Sequence, residues 1–328
     1  MDLQRLDPRD DAAVDASIAL DDAARLADEP WNPPWPRRSY VAHLVHGWDG
    51  EPGQKWLLWE ADRVIGHLSL HLSHRENLHR AGIGILVHPD ERRKGHGTRL
   101  LDEALERVRK AGRRLVGTGT LADSGPAEFA RKKGFAKVLV EVHRRQDLQS
   151  VDHDSVAELR EKAREAARDY TLLRVTDAIP DDLLEAVAEL TGAINDAPTG
   201  DMEVDDDVFD GARIRAFEAA RDAEGVHMYR LIARLGSDGP LAGHTIVGAH
   251  PDQPEWAGQY DTAVARAHRG HRLGLLLKAE MMAWLAEAEP QVRWVDTWNA
   301  ESNSHMIGVN EALGYRIAAR YDSWERDV

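Results

Sequence analysis

The sequence contains an internal repeat, which restricts its fold more than any other feature. Five positions in the first half recur in the second half with unchanged spacing. The matched pairs are Gly66 and Gly243, His67 and His244, Val87 and Val264, Arg92 and Arg269, and Gly97 and Gly274. Because chance similarity rarely keeps one register over such a stretch, the pairs indicate two homologous copies. The length of 328 residues exceeds what one hydrophobic core usually supports, and we predict domains at residues 1–150 and 151–328.

Hydrophobic patterning predicts the same order of strands and helices in both copies. In the first copy, strands are expected at 55–61, 63–72, 81–87, 114–120 and 135–144, with helices at 97–112 and 126–132. In the second copy, strands are expected at 227–235, 241–249, 259–264, 293–298 and 315–324, with helices at 275–288 and 304–313. Between them, the charged and alanine-rich stretch 155–169 is expected to be helical, either opening the second domain or bridging the two.

Composition excludes several classes of function. The chain has no cysteine, which rules out disulfides, thiolate metal sites and a cysteine nucleophile. Its formal net charge of −15 argues against a nucleic-acid partner, because such proteins need a basic surface. No apolar run approaches the ~20 residues that cross a bilayer, and the acidic start lacks the pattern of a secretion signal. We therefore predict a cytoplasmic protein with no membrane partner.

The repeat includes a buried strand, an arginine- and glycine-rich turn and an amphipathic helix. The first N–H groups of a helix have no internal partner and carry partial positive charge, so they favour phosphate oxygens. Glycines let the backbone close on a diphosphate, and flanking arginines add charge. The turn lacks the third glycine of a dinucleotide fingerprint and the Gly-Lys-Ser/Thr of a P-loop. The pattern therefore predicts a diphosphate site of another kind.

The motif Arg92-x-x-Gly95-x-Gly97 resembles the acyl-CoA signature Q/R-x-x-G-x-G/A of GCN5-related N-acetyltransferases (GNAT). The second copy, Arg269-x-x-Arg272-x-Gly274, departs from it by an arginine at the middle glycine. As a tandem pair, the chain is similar to mycothiol-synthase-like actinobacterial acetyltransferases. The resemblance implies two α+β domains, each a mixed, mostly antiparallel sheet flanked by helices, with a central splay where acetyl-CoA enters. The implied cofactor-binding residues are Val87, Arg92, Arg93, Lys94, Gly95, His96, Gly97, Thr98, Val264, Arg269, Gly270, His271, Arg272, Leu273, Gly274 and Asn303.

The resemblance also implies an N-acetyltransferase in which an amine attacks the thioester directly, in a ternary complex. Such an amine, with a pKa of roughly 10.4, must lose a proton to a general base. Asp261, an acid within an otherwise uncharged strand, is the candidate, and a structural hydrogen-bonded aspartate is the alternative. The corresponding strand 81–87 has no acid, which favours the second copy as catalytic.

A proton donor for the leaving thiolate is harder to assign. The tyrosine that the family usually places four residues before the glycine of the last short helix is replaced by Ala130 and Asn310. Either Tyr315 or Tyr321 takes its place, or water does. We name Tyr315 as the candidate.

An acidic stretch before the second copy's first strands, including Asp201, Glu203 and Asp205, suits a cationic acceptor, or is a solvated loop. In the first copy, His67 and His71 alternate with leucines along a predicted strand. They therefore share the polar face of a sheet, and we predict no metal site.

The predicted reaction is acetyl transfer to a primary amine of a small cationic molecule. The alternatives are a protein amine as acceptor and an acyl-CoA sensor without turnover. The pattern leaves monomer and homodimer open.

Overall fold

The computed structural model describes residues 2–328, which divide into two compact units. The first unit comprises Met1–Val138 and Ser323–Val328, and the second comprises Leu139–Asp322. The chain up to the middle of the sequence contains strands β1 (Asp2–Arg5), β2 (Gln54–Glu60), β3 (Arg63–His71), β4 (Arg80–Val87), β5 (Leu115–Leu121) and β6 (Ala136–Asp147), and helices α1 (Asp11–Asp28), α2 (Arg37–His46), α3 (His96–Lys110), α4 (Gly125–Lys132) and α5 (His153–Ala166). The remainder contains strands β7 (Tyr170–Thr176), β8 (His227–Leu235), β9 (Leu241–Ala249), β10 (Trp256–Val264), β11 (Trp294–Ala300) and β12 (Arg316–Asp327), and helices α6 (Leu184–Thr191), α7 (Gly211–Glu224), α8 (Leu273–Ala288) and α9 (Ser304–Ala312).

Every strand and helix predicted from the repeat is present, and its ends agree to within a few residues. The stretch predicted as a helix at 155–169 forms α5, which belongs to the second unit. Sequence patterning did not identify α1, α2, α6 or α7. These helices lie before the repeated strands of each copy, where the two copies share no recognisable motif.

In the first unit, β1, β2, β3 and β4 form an antiparallel sheet in that order. β4 then pairs in parallel with β5, from Arg80 with Leu115 to Gly82 with Gly117, where the pairing ends. The rest of β4 diverges from β5. The sheet is therefore mixed and mostly antiparallel, with a splay at its centre.

The second unit repeats this arrangement. β7, β8, β9 and β10 are antiparallel, and β10 pairs in parallel with β11 from Trp256 with Trp294 to Gly258 with Asp296. Beyond Asp296 the two strands separate, while β11 continues to pair with β6 as far as Ala300 with Glu141. The predicted fold class is confirmed in both units.

The division of the chain differs from the predicted ranges 1–150 and 151–328. β6 runs on to Asp147, and its residues 141–147 pair with β11 of the second unit. The end of β12 belongs to the first unit, where the Trp324 indole donates to Thr120 Oγ1 at 2.8 Å. The first unit thus includes a strand segment from the far end of the chain, and the second unit begins within β6. Pairing between residues so far apart leaves no local signal in the sequence.

Helices cover both faces of each sheet. On one face, α3 packs an apolar stripe on the first sheet, and α8 with α5 does so on the second. On the other face, α1 and α2 pack against β2 and β3, and α6 and α7 pack against the second sheet. Within residues 2–328, no helix is both long and apolar enough to cross a membrane.

Candidate active site

The turns that follow β4 and β10 have the same backbone conformation. In the first, Arg93 (φ 65°) and Gly95 (φ 94°) are left-handed; in the second, the left-handed residues are Gly270 (φ 88°) and Arg272 (φ 56°). Glycine and arginine have exchanged positions between the two turns, yet the same two positions of each turn have a positive φ. Arg272, where the second copy departs from the signature, is therefore accommodated, at a cost of about 1–2 kcal/mol for a left-handed residue with a side chain.

The helices that begin at these turns lack a side-chain cap. Elsewhere in the described chain, aspartates cap α1, α5 and α7 by accepting from an N–H of the first turn. Within residues 2–328, no side chain caps α3 or α8, so their first N–H groups have no side-chain acceptor. A Cβ at Gly274 would meet nothing within 4 Å, and one at Gly97 would meet only the ring of Phe129 at 3.6 Å. The open space and the free donors fit a diphosphate.

The signature arginines have a different role from the one expected. The Arg92 Nε–H donates to the Val87 carbonyl at 3.2 Å, and its guanidinium donates to Asp28 Oδ1 at 2.7 Å. Arg269 repeats this pattern, with its Nε 3.2 Å from the Val264 carbonyl and an ion pair to Asp196. Both side chains therefore fasten the turn to the end of the strand and to the preceding helical segment. The charge that they were expected to offer a phosphate is already neutralised.

Asp261 lies in a β-bulge. The register between β10 and β9 shifts between Gln259 and Thr262, and Tyr260 and Asp261 lie within this irregularity. The Tyr260 ring packs edge-on against Phe217 of α7, with ring centroids 6.0 Å apart. Burial raises the pKa of Asp261, and the nearby Arg230 guanidinium opposes the rise. A carboxylate of raised pKa beside the splay is suited to accept a proton.

Arg230 and His244 form the buried surroundings of Asp261. The Arg230 guanidinium lies 2.9 Å from His244 Nδ1, and both side chains are buried. Burial, together with the Arg230 charge, holds the pKa of His244 well below its usual range, so this imidazole is neutral. Burial lowers the pKa of Arg230 to about 10, which still leaves it cationic at neutral pH.

In the first unit, side chains of the unit itself fill the sheet face that corresponds to the Asp261 face of the second unit. Gly84 stands where the second unit has Asp261, and a Cβ there would lie 2.4 Å from Ser69 Oγ. Lys55 donates to the Tyr40 hydroxyl at 2.6 Å, and the Tyr40 ring is 1% exposed. His67 Nδ1 lies 3.2 Å from Asp21 Oδ1 of α1. His67 therefore lies among polar side chains, as the alternation predicted, but α1 covers this face and buries the imidazole.

Tyr315, the sequence-based candidate for the general acid, lies in the core under α8. Its ring is 2% exposed, and the Lys278 Nζ lies 4.8 Å from the ring centroid. Burial and the Asp296 charge raise the pKa of Tyr315. A buried phenol that holds its proton more tightly is a poor acid, so the structure gives Tyr315 a packing role.

Three further groups of predicted site residues lie on elements other than β10, which carries Asp261. Asn303 caps α9 by accepting from the Met306 N–H at 3.2 Å. Asn310 is buried and donates to Asn299 Oδ1 at 2.7 Å. The carboxylates of Asp201, Glu203 and Asp205 lie exposed in the loop that precedes α7. Sequence reasoning missed Arg230 and Lys278, although Lys278 interrupts the apolar run Leu273–Ala279 and so carries a signal.

Residues 20–135 match the acetyltransferase (GNAT) family, and they include the whole first signature. The chain contains a GNAT acetyltransferase domain. Over its full length it is similar to a tandem GNAT protein from the clavulanic acid biosynthesis pathway, at 28% identity and a TM-score of 0.82, covering 99% of this chain and 98% of that one. No curated protein matches the chain.

More distant structures share the fold. A GCN5-related N-acetyltransferase from Sphaerobacter thermophilus aligns at 17% identity and a TM-score of 0.69, covering 99% of this chain and 95% of that one. A putative acetyltransferase from Pyrococcus horikoshii aligns at 15% identity and a TM-score of 0.58, covering 100% of this chain and 89% of that one. The predicted family and enzyme class are confirmed to this extent: residues 20–135 match the acetyltransferase (GNAT) family, and the chain as a whole is similar to a tandem GNAT protein. Similarity to mycothiol-synthase-like enzymes stays a prediction.

Proposed function

We propose that the second unit transfers the acetyl group of acetyl-CoA to a primary amine of a small cationic molecule. The observation that carries this proposal is Asp261, a carboxylate of raised pKa in the bulge of β10 beside the splay. The first unit offers only Gly84 at that position, on a face filled by Tyr40 and Lys55. Family membership supports acetyl-CoA as the donor.

The uncapped N-termini of α3 and α8 support one acetyl-CoA site in each unit. The N–H groups of Gly95–Thr98 and of Arg272–Leu275 would hold the diphosphate, and Arg269 and Arg92 would keep the turns in place. Acetyl-CoA supplies an activated acetyl group as a thioester. The first site would hold the donor without using it, because the side chains of Tyr40, Lys55, His67 and Asp21 bond one another and fill its acceptor face.

In the second unit, the Asp261 carboxylate removes a proton from the acceptor ammonium, and the neutral amine attacks the thioester carbonyl. The raised pKa makes Asp261 a stronger base than an exposed aspartate, and the Arg230 charge favours its ionised form. No enzyme nucleophile is needed, in agreement with a sequence that has no cysteine.

A cationic acceptor is supported by the exposed carboxylates of Asp201, Glu203 and Asp205 and by the net charge of −15. Carboxylates clustered near a site raise the local concentration of cations, and salt screens this effect. Changing all three residues to their amides should raise KM for a diamine more than KM for a monoamine that has no second charged group. Added salt should remove this difference between the two acceptors. Equal effects on both acceptors at every salt concentration would contradict the cationic class.

The central test is release of free CoA from acetyl-CoA in the presence of a panel of amines, with the parent protein and Asp261→Asn. We expect turnover with the parent and a loss of about 10²–10⁴-fold in kcat in the variant, the usual cost of removing a general base. Asp252→Asn, which changes an exposed carboxylate between β9 and β10, is the matched control. An acyl-CoA sensor would release no CoA with any amine, and a protein-amine enzyme would respond only to peptides.

A further inference from the structure

One large aromatic side chain is exposed at the splay of the second unit. Trp298 of β11 is 49% exposed, whereas the three residues before it are buried. The parallel pairing of β10 with β11 ends at Gly258 with Asp296, and Trp298 lies two residues beyond that pair. Tyr260 lies two residues beyond it on β10, next to Asp261. The register therefore places Trp298 and Asp261 at about the same level of the sheet, on opposite sides of the gap.

Trp298 lies on the face of the sheet that α7 covers, and α8 covers the opposite face. Alternation puts Trp294 on the same face of β11 as Trp298. The Trp294 ring stacks on Trp256 of β10, with ring centroids 5.9 Å apart. Four residues further along β10, the Tyr260 ring packs edge-on against Phe217 of α7. Trp298 is therefore on the face that we assign to the acceptor.

A buried polar network fixes one side of the Trp298 indole. The His143 imidazole of β6 is fully buried and stacks on this indole, with ring centroids 4.4 Å apart and planes 6° apart. The His143 Nε2 lies 3.2 Å from Asp296 Oδ1, and the Arg145 guanidinium donates to both oxygens of Asp296 at 2.7 and 2.9 Å. Because the indole is held before a ligand arrives, binding to its exposed side costs little side-chain entropy.

Two other tryptophans on this face already bind cations of the protein. The Arg145 guanidinium lies 4.2 Å from the ring centroid of Trp256, and the Arg293 guanidinium lies 4.4 Å from that of Trp294. Within the part of the chain that the structure describes, no lysine or arginine lies over the ring of Trp298. The electron-rich face of an indole attracts a cation within about 6 Å of its centroid. Trp298 can therefore offer this interaction to a ligand.

A carboxylate lies on the same face beside this indole. β6 pairs with β11 so that Glu141 is opposite Ala300, two residues from Trp298. Glu141 is therefore the diagonal neighbour of Trp298, and such neighbours are within reach of a large aromatic side chain. Arg145, further along the same face of β6, is paired with Asp296. An indole with a carboxylate beside it suits an ammonium or a guanidinium group.

The first unit lacks this aromatic side chain. Its parallel pairing ends at Gly82 with Gly117, so Gly119 is the residue that corresponds to Trp298. Gly117 likewise corresponds to Asp296, which fixes the imidazole under the indole. The exposed indole and its support thus occur in the unit that also has the proposed base.

We propose that Trp298 determines acceptor specificity by binding a second cationic group of the acceptor, an ammonium or a guanidinium, on the exposed side of its indole. Glu141 adds negative charge beside that group. This inference rests on the proposed function of the second unit. It narrows the acceptor to a small molecule that has a cation in addition to the amine that is acetylated. Asp261 then serves the reacting amine from one side of the gap, and Trp298 holds the other cation from the opposite side.

Tetramethylammonium tests the binding of a cation without turnover, because it has no N–H and cannot be acetylated. Its methyl proton signal is followed by NMR as protein is added, at high salt so that attraction to the net charge of −15 is screened. The ring current of an indole should shift this signal upfield with the parent protein. Trp298→Leu should remove the shift, and Trp298→Phe should bind more weakly than the parent, because tryptophan is the strongest aromatic partner of a cation. Trp48→Leu, at a tryptophan of the first unit that is 48% exposed, is the matched control.

The second measurement compares KM for cadaverine with KM for pentylamine, two members of the amine panel that differ by one ammonium group. Trp298→Leu should raise KM for cadaverine by about 3- to 30-fold, which is the usual range for the loss of a cation–π contact. KM for pentylamine and kcat for both amines should change by less than about twofold, because leucine keeps an apolar surface and the reacting groups are unaltered.

The outcomes separate this inference from the proposed function. Equal NMR shifts in the parent and Trp298→Leu, or an unchanged ratio of the two KM values, would overturn the role of Trp298 and leave acetyl transfer intact. A shift that Trp298→Leu removes, in a protein that turns over no amine of the panel, would uphold the cation site and refute the proposed function.

Discussion

Asp261 and Gly84 occupy equivalent positions in the two copies, but only Asp261 lies in a bulge of its strand. In the first unit the register of β3 with β4 continues unbroken from Gly66 with Val87 to His71 with Gly82. A Cβ at Gly84 would lie 2.4 Å from Ser69 Oγ. A carboxylate could not be placed there without displacing the Ser69 hydroxyl. The proposed roles of the two units therefore differ for two reasons: the bulge in β10 and the carboxylate of Asp261, both of which are missing at Gly84.

Gly84→Asp should destabilise the protein and create no second active site. Overpacking of a filled core typically costs about 1–3 kcal/mol, and here a charge is added to a face without space. Urea unfolding should show the loss, and CoA release should stay at the parental rate. A variant that unfolds at the parental urea concentration would show that the face has space for a base.

The pH profile should report Asp261. Because burial raises its pKa, kcat/KM should fall on the acid side at a pH above the ordinary aspartate value of 3.8. In Asp261→Asn that acid limb should disappear, and the residual rate should rise towards the pKa of the acceptor, where the amine arrives already neutral. An acid limb that persists in Asp261→Asn would assign it to another group.

Gly97→Glu and Gly274→Glu should each remove one acetyl-CoA site. Both positions accept a side chain without a steric clash, and a glutamate would put negative charge where the diphosphate is expected to lie. Calorimetry should find two sites in the parent and one in each variant, with turnover lost only in Gly274→Glu. If Gly97→Glu alone abolished turnover, the first unit would be the catalytic one.

Arg272→Gly should stabilise the protein by roughly 0.5–1 kcal/mol, since it relieves a left-handed residue at φ 56° while glycine itself is more flexible when unfolded. Arg272→Ala removes the same guanidinium but keeps the strain, and is the control. Urea unfolding of the two variants distinguishes the effect of the backbone conformation on the free energy of unfolding from the effect of the lost charge. A more stable alanine variant would mean that the charge was the unfavourable feature.

Lys278→Leu should stabilise the fold by an amount that depends on pH. Burial lowers the pKa of Lys278 from 10.5 to about 7 in the folded state. The cost of burying it is therefore full below about pH 7 and shrinks by about 1.4 kcal/mol per pH unit as the pH rises towards the unfolded value. Unfolding free energies at pH 7 and pH 9 should show the larger gain at pH 7. A gain that is independent of pH would mean that Lys278 finds a solvated position.

The repeat and its spacing were sufficient to predict the tandem fold, the order of the repeated strands and helices, and the two anion-binding turns. These features depend on local patterns: alternation in strands, three- and four-residue spacing in α3 and α8, and glycine in a turn. Asp261 was also recognisable, because an acid in an uncharged strand is visible in the sequence alone.

Only the tertiary structure decided which side chains meet. Arg92 and Arg269 look like phosphate ligands in the sequence, yet carboxylates from distant segments, Asp28 and Asp196, bind them. His67 follows a polar alternation, yet α1 covers it. The exchange of strand segments at β6 and β12 likewise depends on pairing between residues far apart in the chain. Local patterns determine the conformation of a segment, whereas burial, partners and charge depend on what the rest of the chain packs against it.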